Sequence, residues 1–248
     1  MGDSLAALVL AAGAGARMAP LTGLRPKPLC PVDGVALVDH GIERVAEVVE
    51  RVAVNVHHGR DQMVTHLDGR VHLSIEDRPG LGTAGGVAGV AGWADHADLV
   101  VVNGDMWCPG DLGPVVEAWD RERVRVVVAG EPELGPRSRI VASLMPNEAV
   151  RRLRVEPSGL YEVCWAPLAQ AGALDVVGWD GPFVDCATPR DYLAANLAAS
   201  GGISVVGDGA VVDGHIERTV LWPGAVVAAG ERLVDAIRTG PEVTVLVR

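Results

Sequence analysis

Gly13, Gly15, Arg17 and Lys27 are the residues of this sequence whose types and spacing suggest chemistry, and it is the chemistry of a phosphate chain. They follow an apolar run, Ala6 to Ala12, that reads as a buried strand. Two glycines just after a strand let the backbone turn and bring N–H groups close to a bulky anion. Arg17 and a lysine stiffened between Pro26 and Pro28 complete what reads as a triphosphate cradle. Lys27 is the only lysine in the chain; the rest of the 21 Lys and Arg residues are arginines. A chain so biased toward Arg that keeps one Lys is read as needing a compact ammonium rather than a planar fork. A dinucleotide fingerprint would have glycine where Met18 stands, and a P-loop would have lysine directly after a glycine, so neither pattern is met. The remaining alternative, an ordinary β–α turn with solvated cations, is disfavoured by the neighbouring Met18 to Thr22 and Lys27–Pro28.

The pattern G-x-G-x-R-M-x-P-L-T followed by K-P-L-x-P-V, with the strand that leads into it, covers Leu8 to Val32 and resembles the signature of sugar-1-phosphate nucleotidyltransferases. Those enzymes join an NTP to a sugar 1-phosphate, giving an NDP-sugar and pyrophosphate. The resemblance implies that Ala11, Ala12, Gly13 and Gly15 contact the nucleotide. It implies that Arg17 neutralises the leaving pyrophosphate and that Lys27 draws the α-phosphate and the sugar phosphate together. Ala14 stands where the family often has Lys, Gly or Ser, which leaves the backbone donors in place.

Later stretches extend the likeness. Leu81 to Gly86, LGTAGG, sets backbone donors and a hydroxyl ahead of a small-residue helix expected over Val87 to Trp93. Small residues admit a base or sugar against the backbone, or equally a tightly packed helix. In the family this segment holds the base, which implies Gly82 and Thr83 as contacts. Upstream, where uridylyl and thymidylyl relatives often carry Gln, stands Asp77. A carboxylate accepts both N1–H and N2–H of guanine, so Asp77 points to GTP, with Glu76 in that role if the register slips by one.

An apolar strand, Ala97 to Asn103, ends at Gly104-Asp105. A carboxylate emerging from a buried strand is costly unless it meets a cation; the alternative is a cap for a helix near Asp111. V-V-N-G-D-M-W resembles the family's magnesium-binding aspartate, and the N-acetylmuramate-1-phosphate uridylyltransferase branch shares N-G-D-x-W. Gly181 to Asn196 resembles W-x-D-x-G-T with its following helix, which implies Asp185 as the second Mg²⁺ ligand; Phe183 and Ala187 replace the usual Trp and Gly. Ser158-Gly-Leu-Tyr161 resembles the turn N-A-G-I-Y, which implies Gly159 as a sugar contact. The family's E-K-P lysine is absent from Val155-Glu156-Pro157, so either Arg152 or Arg154 holds the sugar phosphate or the donor side differs.

The elements that must position these residues follow a β–α–β–α rhythm. Helices are expected over Leu37 to Glu50, Gly59 to Leu67 and Asp111 to Glu122, and strands over Arg51 to Val56, Val71 to Ile75 and Val124 to Ala129. Arg139 to Leu144 and Ala149 to Val155 read as an antiparallel pair. This is the rhythm of a doubly wound, mostly parallel Rossmann-like α/β sheet with its site at the strand C-termini. From Gly201 onward short apolar pairs return: Val205-Val206, Val211-Val212, Val220-Leu221, Val226-Val227 and Leu233-Val234. That texture suggests a few coils of left-handed β-helix, the kind of appendage that mannose-1-phosphate guanylyltransferases carry. The expected division is a catalytic domain over 1–200 and the appendage over 201–248.

With 248 residues and a net charge of −11, the chain has no basic stripe for nucleic acid. No apolar run is long enough to span a membrane and Met1 to Ser4 lacks a basic start, so a cytoplasmic protein is expected. Cys30, Cys108, Cys164 and Cys186 are too scattered for a zinc site or disulfide framework. The reading is therefore a Mg²⁺-dependent transferase acting on an NTP and a sugar 1-phosphate, most like mannose-1-phosphate guanylyltransferase, with a homo-oligomer formed through the appendage. Its rivals are a uridylyltransferase for an N-acetylated sugar 1-phosphate and a non-catalytic NDP-sugar sensor. A sensor would lose Arg17, Lys27, Asp105 or Asp185, and all four are present.

Overall fold

Short β-branched runs alternating with helices build a seven-stranded sheet in the computed structural model, which describes residues 4–77, 80–240 and 243–247. The expectation about a leader rests largely on residues 1–3, outside the described residues. The chain divides into two compact units, Met1–Gly13 with Val38–Phe183, and Ala14–Leu37 with Val184–Arg248.

The first unit runs β1 (Leu5–Leu10), α1 (Leu37–Ala46), β2 (Arg51–Val56), α2 (Arg60–Leu67), β3 (His72–Ile75), α3 (Gly82–Gly89), β4 (Asp98–Asn103), β5 (Val124–Ala129), β6 (Ile140–Met145), α4 (Asn147–Arg152) and β7 (Leu174–Trp179). The strand order is β7-β5-β6-β4-β1-β2-β3. β1 is parallel to both β2 and β4, with Ala7 opposite Val52 on one side and Val100 on the other. β6 alone runs antiparallel, pairing with β4 and β5. The sheet is thus Rossmann-like and mostly parallel. Leu8, Leu99, Val101, Val126 and Met145 are buried in its core together with Ala84 and Val87 of α3. Each large aliphatic side chain so buried contributes about 2 kcal/mol.

In the second unit, residues 14–37 form three single 3₁₀ turns and a hairpin of Pro31–Val32 with Val35–Ala36. There follow α5 (Pro189–Ala199), β8 (Val205–Val206), β9 (Val211–Val212), β10 (His215–Leu221), β11 (Val226–Val227), β12 (Arg232–Arg238) and β13 (Thr244–Leu246). β8, β10 and β12 stack in parallel, as do β9 and β11, and β13 closes the stack antiparallel to β12. Val205 lies opposite Val220 and Val211 opposite Val226, an offset of 15 (220 − 205 and 226 − 211). Ile216 faces Leu233, an offset of 17 (233 − 216). All five apolar pairs seen in the sequence fall in these strands. Inward residues Leu221, Ala225, Val227, Leu233 and Ala236 form the core of the stack.

Four expected elements differ, the first being the helix expected over Leu37 to Glu50, which ends at Ala46. The helix expected over Val87 to Trp93 runs Gly82–Gly89, with Ala91–Ala94 a separate short turn, so Gly82 to Gly86 is helical and not a loop ahead of it. Ala149 to Val155 is not a strand: Asn147–Arg152 is α4, with Glu148 and Arg152 paired one turn apart. β6 takes β4 and β5 as partners instead. The helix expected over Asp111 to Glu122 is one short turn, Gly113–Glu117. Among the described residues no helix is long and apolar enough to cross a membrane.

Candidate active site

The order β3-β2-β1-β4 makes the C-terminal ends of β1 and β4 a topological switch point, where open α/β sheets form their ligand crevice. β1 leads there into Ala11–Gly13 and β4 into Gly104-Asp105. The two ends are fastened, since the Gly104 N–H donates to the Leu10 carbonyl at 2.8 Å. Only glycine fits at 104, where a Cβ would sit 2.7 Å from Val9 Cγ1. Asp105 is half-buried beside this fastening. It lies well before the short helix at Gly113–Glu117, whose N-cap is Leu112; there Asp111 accepts from the Gly113 N–H at 2.6 Å.

Ala11 is buried, and its N–H is already used: Asn55 Oδ1 accepts it at 2.7 Å. Asn55 Nδ2 in turn donates to Glu76 Oε1 at 2.7 Å, and Glu76 Oε2 accepts from the Leu81 N–H at 2.8 Å. Gly86 leaves room for this network, since a Cβ there would meet Asn55 Nδ2 at 2.6 Å. Glu76 is only 4% exposed, a buried carboxylate satisfied by neutral donors that tie the loop after β1 to the start of α3. Asp77 turns the other way. Its side chain is 95% exposed, with Arg60 Nη1 at 3.9 Å. The acceptor sought for guanine therefore faces solvent in this structure, and the neighbouring carboxylate is engaged in holding loops.

Gly82, Thr83 and Gly159, matched separately in the sequence, are brought together. The Ser158 N–H donates to the Leu81 carbonyl at 3.0 Å and the Ala84 N–H to the Ser158 carbonyl at 3.0 Å. The Leu160 N–H donates to Thr83 Oγ1 at 2.8 Å. Beside this seam lies a cavity of about 170 Å³ lined by Leu10, Thr83, Asn103, Ser143, Gly159 and Trp165 among others. Ser143 Oγ and Trp165 Nε1 are buried without a hydrogen-bond partner among the described residues. Arg152 is paired with Glu148 on α4, and Arg154 is exposed in the following loop.

In the second unit, Gly15 adopts φ +60°, and a Cβ there would lie 2.8 Å from Lys27 Cβ. Glycine is required at 15 both by that backbone and because the lysine side chain is packed against it. Lys27 opens the 3₁₀ turn Lys27–Leu29, is 4% exposed, and has Nζ 3.4 Å from Asp185 Oδ1. Asp185 keeps 48% of its side chain exposed. The cap of α5 is supplied instead by Thr188, whose Oγ1 accepts from the Asp191 N–H at 3.2 Å. Arg17 is exposed in its own 3₁₀ turn. Burial pushes the nearby Cys30 thiol up to about 12 even though Arg25 and Lys27 pull it down, so it stays protonated and is no nucleophile.

Sequence reasoning missed Asn55, which braces the loop after β1, and Ser143 and Trp165, which line the cavity. Asn55 left a signal, a polar amide inside an otherwise apolar strand. The others look like ordinary core residues until their neighbours are known. Among the described residues no group of three His, Cys, Asp or Glu is clustered to hold a metal. Asp105 and Asp185 are nonetheless each of the kind that suits Mg²⁺, which is commonly held by one or two carboxylates with substrate phosphates completing its shell.

Residues 7–242 match the family model described as the MobA-like NTP transferase domain, and the chain belongs to that family. N-acetylmuramate alpha-1-phosphate uridylyltransferase of Caulobacter vibrioides is 39% identical over 133 residues, 48% of this chain and 55% of that protein. The chain thus spans about half the length of that relative. Mannose-1-phosphate guanylyltransferase of Mycobacterium tuberculosis is 26% identical over 276 residues, 94% of this chain and 74% of that protein. The crystal structure of a mannose-1-phosphate geranyltransferase from Thermus thermophilus superposes with a TM-score of 0.67 at 21% identity, covering 98% of this chain and 95% of the other. At that identity the likeness shows the fold.

Proposed function

We propose that this protein transfers a nucleotidyl group from an NTP to a sugar 1-phosphate. A sugar-phosphate oxygen attacks the α-phosphorus, the bond to the β-phosphate breaks, and pyrophosphate leaves. The observation that carries the reading is the sole lysine, buried against Gly15 of the phosphate-type loop with Asp185 as its anionic neighbour. Such a transfer needs little proton traffic; position and charge neutralisation supply the rate. Lys27 would draw the two reacting phosphates together, Arg17 would offset the charge of the leaving pyrophosphate, and backbone at Ala12, Gly13 and Gly15 would cradle the triphosphate. Asp105 and Asp185 are proposed as the carboxylate ligands of Mg²⁺, which when bound would neutralise phosphate charge. Gly82, Thr83 and Gly159 would line the base and the sugar. The stacked strands of the second unit are proposed to be turns of a left-handed β-helix, and a route to a homo-oligomer.

For the base, GTP is proposed first and UTP second. Asp77 is solvated, which leaves it open to a base, and the guanylyl reading rests on it and on the relative aligned over 94% of this chain. The uridylyl reading rests on 39% identity over 133 residues and on Asn103-Gly-Asp-Met-Trp107. Pyrophosphate release with Mg²⁺, GTP or UTP, and a panel of sugar 1-phosphates tests both readings. Turnover with GTP favours the first and with UTP the second; no turnover with any pair rejects the enzyme and leaves the NDP-sugar sensor.

A further inference from the structure

The turn that carries Lys27 is braced on both flanks by one indole. On the N-terminal flank, the Arg25 guanidinium lies over the Trp222 ring, 4.7 Å from its centroid, while Arg25 Nη1 donates to the Leu29 carbonyl at 3.4 Å. On the C-terminal flank, Trp222 Nε1 donates to Tyr192 Oη at 2.9 Å, and Tyr192 Oη donates to the Pro31 carbonyl. Asn196, one turn further along α5, donates to the same Pro31 carbonyl and accepts from the Asp33 N–H at 3.0 Å. Trp222 itself is 3% exposed, in the turn between β10 and β11. The turn's own hydrogen bonds are local: the Leu29 N–H donates to the Pro26 carbonyl at 2.9 Å and the Cys30 N–H to the Lys27 carbonyl at 3.0 Å. A single 3₁₀ turn is too short to hold its own geometry.

We propose that Trp222, a residue of the stacked C-terminal strands, is a positioning residue for Lys27, fixing the lysine turn through Arg25 on one side and Tyr192 on the other. This rests on the role given to Lys27 above. Its consequence is that the C-terminal strands take part in the reaction without touching substrate. A lysine serving two phosphates must be held close to one place, since small displacements of an aligned group cost large factors in rate.

The full chain carrying Trp222→Phe tests this. Phenylalanine keeps the stacking surface for Arg25 but removes the N–H that holds Tyr192. Amide exchange at Leu29 and Cys30 should rise about tenfold, the order expected for losing one buried hydrogen bond, while Val9 and Val54 in the sheet stay unchanged. In the nucleotidyl-transfer assay kcat should fall several-fold with KM for the NTP held, because positioning is felt in the transition state. Tyr192→Phe keeps its ring, breaks the same chain of bonds and should give the same pattern. Unchanged exchange at Leu29 and Cys30 in both variants overturns the proposal. A rise shared equally by Val9 and Val54 overturns it too, since that is general destabilisation. If the parent protein turns over no NTP and sugar phosphate, the proposed function fails, and the exchange measurement still decides whether Trp222 holds the turn.

Discussion

Two glycine-rich stretches look alike in the sequence, Gly13–Gly15 and Gly82–Gly86, and they use glycine for opposite reasons. Around Gly13 nothing lies within 4 Å of where a Cβ would be. Around α3 the space is taken by the chain itself: a Cβ at Gly82 would lie 2.5 Å from the Ser158 carbonyl oxygen, and one at Gly85 2.4 Å from that of Glu156. The first stretch leaves room for something that is not protein. The second is shaped to let the loop at 156–158 approach. Gly15 falls in between, for it belongs to the first stretch yet is pressed by the methylene of Lys27. A glycine motif therefore says that close approach happens, and only neighbours say by what.

The largest effect should come from Lys27, where the contrast between a chemical and a packing role is sharpest. Lys27→Ala should lower turnover by ~10²–10³, the range for losing one preorganised charge contact. Lys27→Arg should be nearly as harmful, because a wider planar fork would replace the compact ammonium proposed to sit between the two phosphates. Steady-state kinetics within a few-fold of the parent for the arginine variant would remove this lysine from the mechanism.

Next come the carboxylates. Asp105→Asn and Asp185→Asn should each keep the fold and lose activity, since both remove the charge that a hard cation needs. A variant that saturates at the parent's Mg²⁺ concentration with normal turnover identifies a residue that is not a ligand.

Gly85→Ala breaks the packing side of the comparison. The new methyl meets a backbone oxygen that has no rotamer to escape into, so destabilisation of about 1–3 kcal/mol is expected, read from the urea midpoint. Gly13→Ala should do the reverse, changing stability by less than about 1 kcal/mol while raising KM for the NTP. If the two substitutions destabilise equally, the distinction between the stretches is lost.

The last effect concerns pH and touches neither glycine stretch. Burial holds the thiol of Cys30 up at about 12 and that of Cys164 at about 11, against an ordinary value of 9.0. Above pH 9 the unfolded chain releases these protons while the folded chain keeps them. Stability should therefore fall with rising pH, from 9 to about 11 for Cys164 and to about 12 for Cys30. Below pH 9 the thiols contribute no slope. Urea midpoints between pH 8 and 11 check the sign, and Cys30→Ala should flatten the curve.

Much of the fold could be read directly. Arg51 to Val56 and Val124 to Ala129 are strands as expected, because runs of Val and Ala with one period leave little choice. Asn147–Arg152 could not be read that way. Its few residues carry no clear period, and the helix is held by Val150 in the core of the sheet with Ala149 and Leu153 packed beside it. The same limit applied at Asp77 and Glu76. Adjacent carboxylates are indistinguishable in a string, and one is buried while the other is solvated only because Asn55 and the Leu81 N–H lie on one side of the chain.

By itself, the sequence determined the family, the parallel β–α rhythm and the short list of charged residues, because these depend on residue type and local spacing. Only the tertiary structure decided which glycines leave space, which carboxylate is engaged, and that Trp222 reaches the turn of Lys27 from 195 residues away (222 − 27). Those are contacts between segments distant in the chain. Their energies come from desolvated hydrogen bonds and close packing, which exist only once the segments have met.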